Sequence, residues 1–259
     1  MSWLELLTLA ILPAFLLLDL VMPLGGVPRL RGWRVRAGIV TTVNFGLSLA
    51  LGKAYAQVFG GVSVFDGQAL GTWGGAVVGV LVYDFFHYWY HRTAHRLDGL
   101  WRLGHQMHHS AESLDPWGAY FLHPIDAAIF LSLSLVLLPV LGLTPLAAAT
   151  ATAFLTFCAV FQHARLRTPR WLGWIVQRPE AHAVHHARGV HAFNYANLPM
   201  WDLLFGTCRN PPAQPQPTLG FYDGASTRIA DMLAFRDVSS PAPASALSLA
   251  PQPRHKESA

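Results

Sequence analysis

Residues 84–110 read DFFHYWYHRTAHRLDGLWRLGHQMHHS and hold six of the chain's thirteen histidines. His91 and His95 are four apart, and His105, His108 and His109 stand at offsets of zero, three and four. The same offsets recur far downstream in His182, His185 and His186 of EAHAVHH. Residues three and four apart share a helix face, so each group is expected to aim its imidazoles at one point. Imidazole is the commonest side-chain metal ligand. Eight of them are twice what one four-coordinate ion takes, which implies two metal ions. Nitrogen-only donors suit iron, zinc, copper or nickel. His163 of FQHARL and His123 of FLHPID are further candidates, whereas His87 and His255 read as packed or interfacial. Metal-bound histidines usually give their other ring proton to a carboxylate, carbonyl or water. Asp84, Asp126, Glu180 and Asp202 are placed for that role, Asp84 two helical turns before His91. His191, five residues past His186, is expected as a ligand or behind one.

Composition places these histidines against a membrane. The chain is 53% apolar and 12% charged, with a mean hydropathy of +0.33; soluble domains carry roughly a quarter charged residues. The missing charge is confined to long apolar runs, as in membrane proteins. The net charge of +4 comes from arginines beside those runs. That is the positive-inside pattern and argues against a nucleic-acid partner. Cys158 and Cys208 form neither a disulfide framework nor a CxxC site.

Residues 3–24 read as a retained membrane anchor, with Glu5 at the interface and Asp19 facing protein or the far interface. Arg29, Arg31, Arg34 and Arg36 follow and mark a cytoplasmic side. A second span covers 37–58 and a third about 70–90, the latter with a small-residue pair, Gly75 and Gly79, suited to close helix approach. Residues 125–162 are two apolar runs split at Gly142-Leu-Thr-Pro145, expected as a hairpin that enters and leaves the same side. Arg92, Arg96 and Arg102 accompany the early histidines, and Arg165, Arg167 and Arg170 the late ones. Both histidine sets are therefore expected on one, cytoplasmic, face. The fold expected is an all-α integral membrane bundle of about four to five apolar segments under a histidine-rich helical cap. Residues 1–210 are expected to form the catalytic unit. The Pro/Ala-rich stretch 211–259 is expected to be largely disordered, interrupted by a short helix around Thr227–Phe235.

Taken in order, Asp84 to His95, Leu100-Trp101-Arg102, His105 to Ser110, His123-Pro124, the Phe-x-His163 segment, His182 to His186, Asn194-Tyr195 and Trp201-Asp202 through Thr207 resemble the fatty acid hydroxylase / sterol desaturase superfamily. The resemblance covers about residues 80–210. It implies three histidine boxes, at His91/His95, His105/His108/His109 and His182/His185/His186, and places Asn194 among the residues around them. It further implies a multi-pass membrane enzyme holding two iron ions, with zinc possible as purified, that uses O2 to hydroxylate or desaturate a sterol, hopanoid, carotenoid or fatty acyl lipid. The electrons would come from NAD(P)H through a separate ferredoxin, cytochrome or reductase, because no fused haem or flavin motif is present. The metal site and C-terminus would lie in the cytoplasm. A di-zinc membrane hydrolase is the alternative, disfavoured because no His-Glu-x-x-His or His-x-x-Glu-His occurs. A metal transporter or a non-catalytic metal- or lipid-binding relative is the other.

Overall fold

The computed structural model describes residues 2–22, 30–59, 61–212 and 217–241. Arg29, His255 and the tail from 242 onward lie outside the described residues. Within them the chain is helical, with a single isolated bridge between Ala187 and Leu219.

Helix α1, Trp3–Val21, begins in a capping box: the Ser2 hydroxyl accepts from the Glu5 amide, and the Glu5 carboxylate accepts from the Ser2 amide. This accounts for an acid at the edge of an apolar helix. Helix α2 is Trp33–Phe59 and helix α3 is Gly71–Ala94. These three are long and apolar enough to cross a membrane. Two shorter apolar helices follow, α4 at Pro124–Val140 and α5 at Pro145–Phe161. Each has 17 residues, which is about 26 Å of helix.

The expected hairpin is α4 and α5. Thr144 caps α5 by accepting from the Ala147 amide, and Pro145 sits in the first helical turn, where its missing N–H costs nothing. Gly142 has φ +63°, and a Cβ there would stand 2.0 Å from the Phe65 carbonyl oxygen, so only glycine fits the tip. The tip meets the α2–α3 loop: the Val64 amide donates to the Val140 carbonyl and the Gly67 amide to the Leu141 carbonyl. The hairpin thus runs from the histidine pole to the opposite pole and back. The Gly75 and Gly79 pair works as expected. Cβ atoms there would approach Ala147 to 3.0 Å and Leu143 to 2.9 Å, so α3 lies directly on α5 and its turn.

Asp19, apolar-flanked near the end of α1, is buried and paired with Arg34 at 3.0 Å and with the Trp117 indole at 3.1 Å. Facing protein was the condition its position demanded. The start of α2 is tied to the same pole by the Trp33 indole, which donates to Asp115. The ends of α1, α3 and α5 and the starts of α2 and α4 therefore gather where the histidines are. Above them lie a π-helical turn, Trp101–His105, one α turn, Gln106–His109, and helix α6, Pro179–His185.

Residues 217–241 depart from the expectation that the stretch past residue 210 buries little. Met232 and Val238 are fully buried with Met107, Trp33 and Phe121, and Leu219 packs on Ala183 and Leu114. Gln106 donates to the Arg236 carbonyl and accepts from the Val238 amide. Residues 217–241 form a strap across the cap. The short helix expected around Thr227–Phe235 is present at Ile229–Leu233; the packing of the residues on either side of it had no periodic signal in a Pro- and Ala-rich sequence.

Candidate metal centre

Nine imidazoles meet at the pole, in two sets. His91, His95, His105, His109 and His185 form one; His108, His163, His182 and His186 form the other. Within each set the candidate ligand atoms all lie within 4.8 Å of one another. Eight of the nine residues are buried, His105, His182 and His185 fully so. The sets adjoin through His109 and His186, whose rings stack with centroids 4.2 Å apart.

Each His-x-x-His-His group was expected to aim at one point, and neither does. His105 and His109 join the first set while His108 joins the second; His182 and His186 join the second while His185 joins the first. Helical geometry gives the reason. At 100° per residue, positions i and i+4 differ by only about 40°, whereas i+3 and i+4 differ by about 100°. The middle histidine of each box therefore crosses to the neighbouring site. The offsets 0, 3, 4 are a two-site pattern, each box lending its outer pair to one set and its middle residue to the other.

The proton bookkeeping shows that the sets suit cations. His163 Nδ1 lies 2.9 Å from the Ala159 carbonyl, which can only accept, so His163 Nε2 is left with its lone pair. His108 Nε2 lies 3.3 Å and His182 Nε2 3.2 Å from that nitrogen, and His186 Nε2 lies 3.0 Å from His182 Nε2. One lone pair would have to accept twice, and His182 would have to donate twice from one N–H. A central cation satisfies all four lone pairs together. Nitrogens sharing a metal shell of about 2.1 Å sit about 3.0–3.4 Å apart, as these do. In the first set His105 Nε2 is 3.1 Å from His95 Nε2, while His91 Nε2, His109 Nε2 and His185 Nε2 are buried with no partner.

Burial, reinforced by neighbouring imidazoles, holds His95, His108, His109, His182 and His186 well below the usual histidine range. Burial lowers His163 to about 4 and His185 to about 3. These seven rings are neutral at pH 7, the state that donates to a metal.

Of the expected orienting carboxylates, one touches a ring. Asp126 accepts from His105 Nδ1 at 2.9 Å and from the Tyr90 hydroxyl at 2.5 Å. Asp84 and Asp202 turn instead to backbone amides of the loop before Pro199. Glu180 pairs with Arg178 at 3.1 Å and accepts from Thr168, fixing the lead into α6. The Asn194 amide bonds the Ala181 and Arg209 backbone. Exposed His191 belongs to neither set; its ring lies 5.8 Å from His95 and 4.6 Å from Trp101. His123 is also in neither set: its Nδ1 accepts from the Ile125 amide and caps α4. His163 is in the second set although no box contains it. His87 stands outside both, stacked on Tyr83 and against Phe130. The carbonyls that hold His91 and His185 come from Tyr195 and Phe193; the sequence pointed to Asn194-Tyr195 as a segment but not to these backbone roles.

Fold and site together define an apolar helical bundle with two buried histidine clusters, each able to hold a metal ion, at one pole. Residues 76–207, just over half of the 259, match the fatty acid hydroxylase family, and the chain belongs to it. It is similar to alkylglycerol monooxygenase of Danio rerio, 35% identical over 143 residues, covering 52% of this chain and 30% of that protein. Ornithine lipid hydroxylase OlsE of Rhizobium tropici is 34% identical over 154 residues, 56% of this chain and 44% of its own. Delta(7)-sterol-C5(6)-desaturase of Nicotiana tabacum is 27% identical over 147 residues, 52% of this chain and 50% of its own. The chain thus spans about half or less of the relatives it matches. No solved structure matches it.

Proposed function

We propose that this chain is a membrane-embedded, non-haem di-iron oxygenase that hydroxylates a lipid with O2 and electrons from a separate redox protein. The observation that carries the reading is the pair of buried imidazole sets, with no carboxylate in either, at one pole of an apolar bundle. Family membership turns that site toward lipid oxidation. Two of the relatives above are named an alkylglycerol monooxygenase and an ornithine lipid hydroxylase, which favours hydroxylation over desaturation here.

A bound metal pair would supply O2 binding and reduction and attack on an unactivated C–H bond. The chain's own part is positional. His91, His95, His105, His109 and His185 hold one ion, and His108, His163, His182 and His186 the other. Asp126 fixes the His105 tautomer and Ala159 that of His163. Burial keeps bulk water from the centre. Electrons drawn from NAD(P)H arrive through a ferredoxin, cytochrome or reductase.

The arginines near the histidine pole support a multi-pass topology with that pole, and residue 241, in the cytoplasm. The catalytic unit in this proposal runs to residue 241, because the strap packs on the second histidine box. The test is lipid mass spectrometry of membranes with and without the chain under 18O2. A lipid gaining one labelled oxygen supports the reading. An identical lipid profile, from protein shown to hold iron and to receive electrons, sinks it.

A further inference from the structure

We infer that the loop 193–198 is a positioning clamp for the first metal set alone, and that Asp84 and Asp202 act on the metal through it. The inference rests on the metal reading of the histidines. Two ligands of that set, from distant parts of the chain, lean on this one loop. His91 Nδ1 lies 2.7 Å from the Tyr195 carbonyl, and His185 Nδ1 lies 2.8 Å from the Phe193 carbonyl. A carbonyl only accepts, so both Nδ1 atoms carry the proton. Both Nε2 atoms then present lone pairs, and both are buried without another partner. The loop thus chooses the ligating tautomer of two of the five residues.

The loop reaches this shape by a route a free chain avoids. Phe193 and Asn194 both have positive φ, 69° and 54°, a conformation costly for residues with a side chain. The amides that follow are held by two buried carboxylates. Asp202 accepts from Tyr195 and Ala196, each at 2.9 Å. Asp84 accepts from the amides of Asn197 and Leu198, each at 2.8 Å. In each acid both oxygens are engaged, so the amide isostere would set an NH2 against a backbone N–H. No ring of the second set is held by a carbonyl of this loop, which reaches that set only through the Asn194 side chain on the Ala181 carbonyl beside His182; His163 is held by Ala159 in the last turn of α5. Asp84 sits two turns below His91 on α3, and its carboxylate orients that ring at one remove.

The test is cobalt(II) titration, followed by ligand-field absorption, of detergent-purified full-length Asp84→Asn and Asp202→Asn. Wild type is expected to bind about two ions per chain. Each variant is expected to keep one site at wild-type affinity and to lose 10- to 100-fold at the other, the range for residues behind a ligand. The His182→Ala background identifies the site. There Asp84→Asn should leave no tight site, whereas in the His185→Ala background it should leave the remaining site unchanged. Two undiminished sites in both single variants overturn the clamp, as does equal weakening of the two sites, which would mark general destabilisation. A wild type that binds no metal overturns the reading beneath it instead. Asp202→Asn keeps the test open should Asp84→Asn fail to fold.

Discussion

Replacing Asp126 by Asn is expected to harm the metal centre more than replacing it by Ala, although Asn is the closer isostere. Asp126 has no exposed surface, and its two oxygens serve His105 Nδ1 at 2.9 Å and the Tyr90 hydroxyl at 2.5 Å. With the Tyr90 hydroxyl remaining the donor of its short bond, the amide oxygen of the Asn variant accepts from Tyr90. The NH2 then faces His105 Nδ1, donor against donor. The conflict is relieved when His105 moves its proton to Nε2, and that nitrogen, 3.1 Å from His95 Nε2 in the first set, can no longer ligate. Loss of the orienting carboxylate alone is worth about 10- to 100-fold in metal affinity, or about 1.4–2.7 kcal/mol. The enforced tautomer places Asn at the upper end of that range. Alanine leaves Nδ1 free to keep its proton and sits nearer the lower end, at the cost of a small cavity and an unpaired Tyr90 hydroxyl. The assay is chelator-competed cobalt or iron binding to folded protein, with thermal unfolding of the metal-free forms alongside. Asn binding metal as tightly as wild type, or more tightly than Ala, would refute the tautomer argument.

Other expectations follow from the same geometry. His163→Ala should lower metal content by about one ion per chain, because it removes one of four ligands in the second set. His123→Ala should leave metal content intact and cost about 0.5–2 kcal/mol, the worth of an N-cap; metal analysis and thermal melts of the pair separate the roles. Gly79→Leu should destabilise by about 1–3 kcal/mol through overpacking, since even a Cβ there would stand 2.9 Å from Leu143. Gly52→Leu, where nothing lies within 4 Å, is the tolerated control, and melting temperatures in detergent report both. Burial and neighbouring imidazoles hold His108, His109, His182 and His186 below the unfolded value of about 6.5. The unfolded chain therefore binds more protons below that pH, and metal-free stability falls as pH drops through it. The melting temperature of the metal-free protein should be flat from pH 8 to 7 and fall from 6.5 toward 5; an unchanged value at pH 5 would contradict neutral buried rings.

Much of this was legible because the strongest signals are periodic or compositional. Apolar runs with arginine flanks marked the helices, Gly142 and Pro145 marked the hairpin tip, and paired histidine boxes marked the ligands. What stayed hidden depends on which atoms a turn brings together. The partition of each box into two sites needed the 100° step between adjacent residues, and spacing alone suggested convergence. His163 stood outside the three boxes, marked only as a further candidate by its Phe-x-His segment after an apolar run. Asp84 shares a face with His91, yet its oxygens reach the backbone of residues 197 and 198, more than a hundred positions away. Gly104 looked unremarkable, although a Cβ there would stand 2.7 Å from the Asp126 Cβ, so its absence lets α4 bring that carboxylate to His105. The strap at 217–241 is held by backbone bonds to Gln106 and by two fully buried side chains, Met232 and Val238, features no hydropathy window detects.

Iron quantification against protein concentration, on chain purified after anaerobic loading with ferrous iron, bears most directly on the two imidazole sets. About two tightly held ions per chain are expected, falling to about one when either His185 or His182 becomes alanine. A single ion, or none, in folded wild-type protein would contradict the two-site reading.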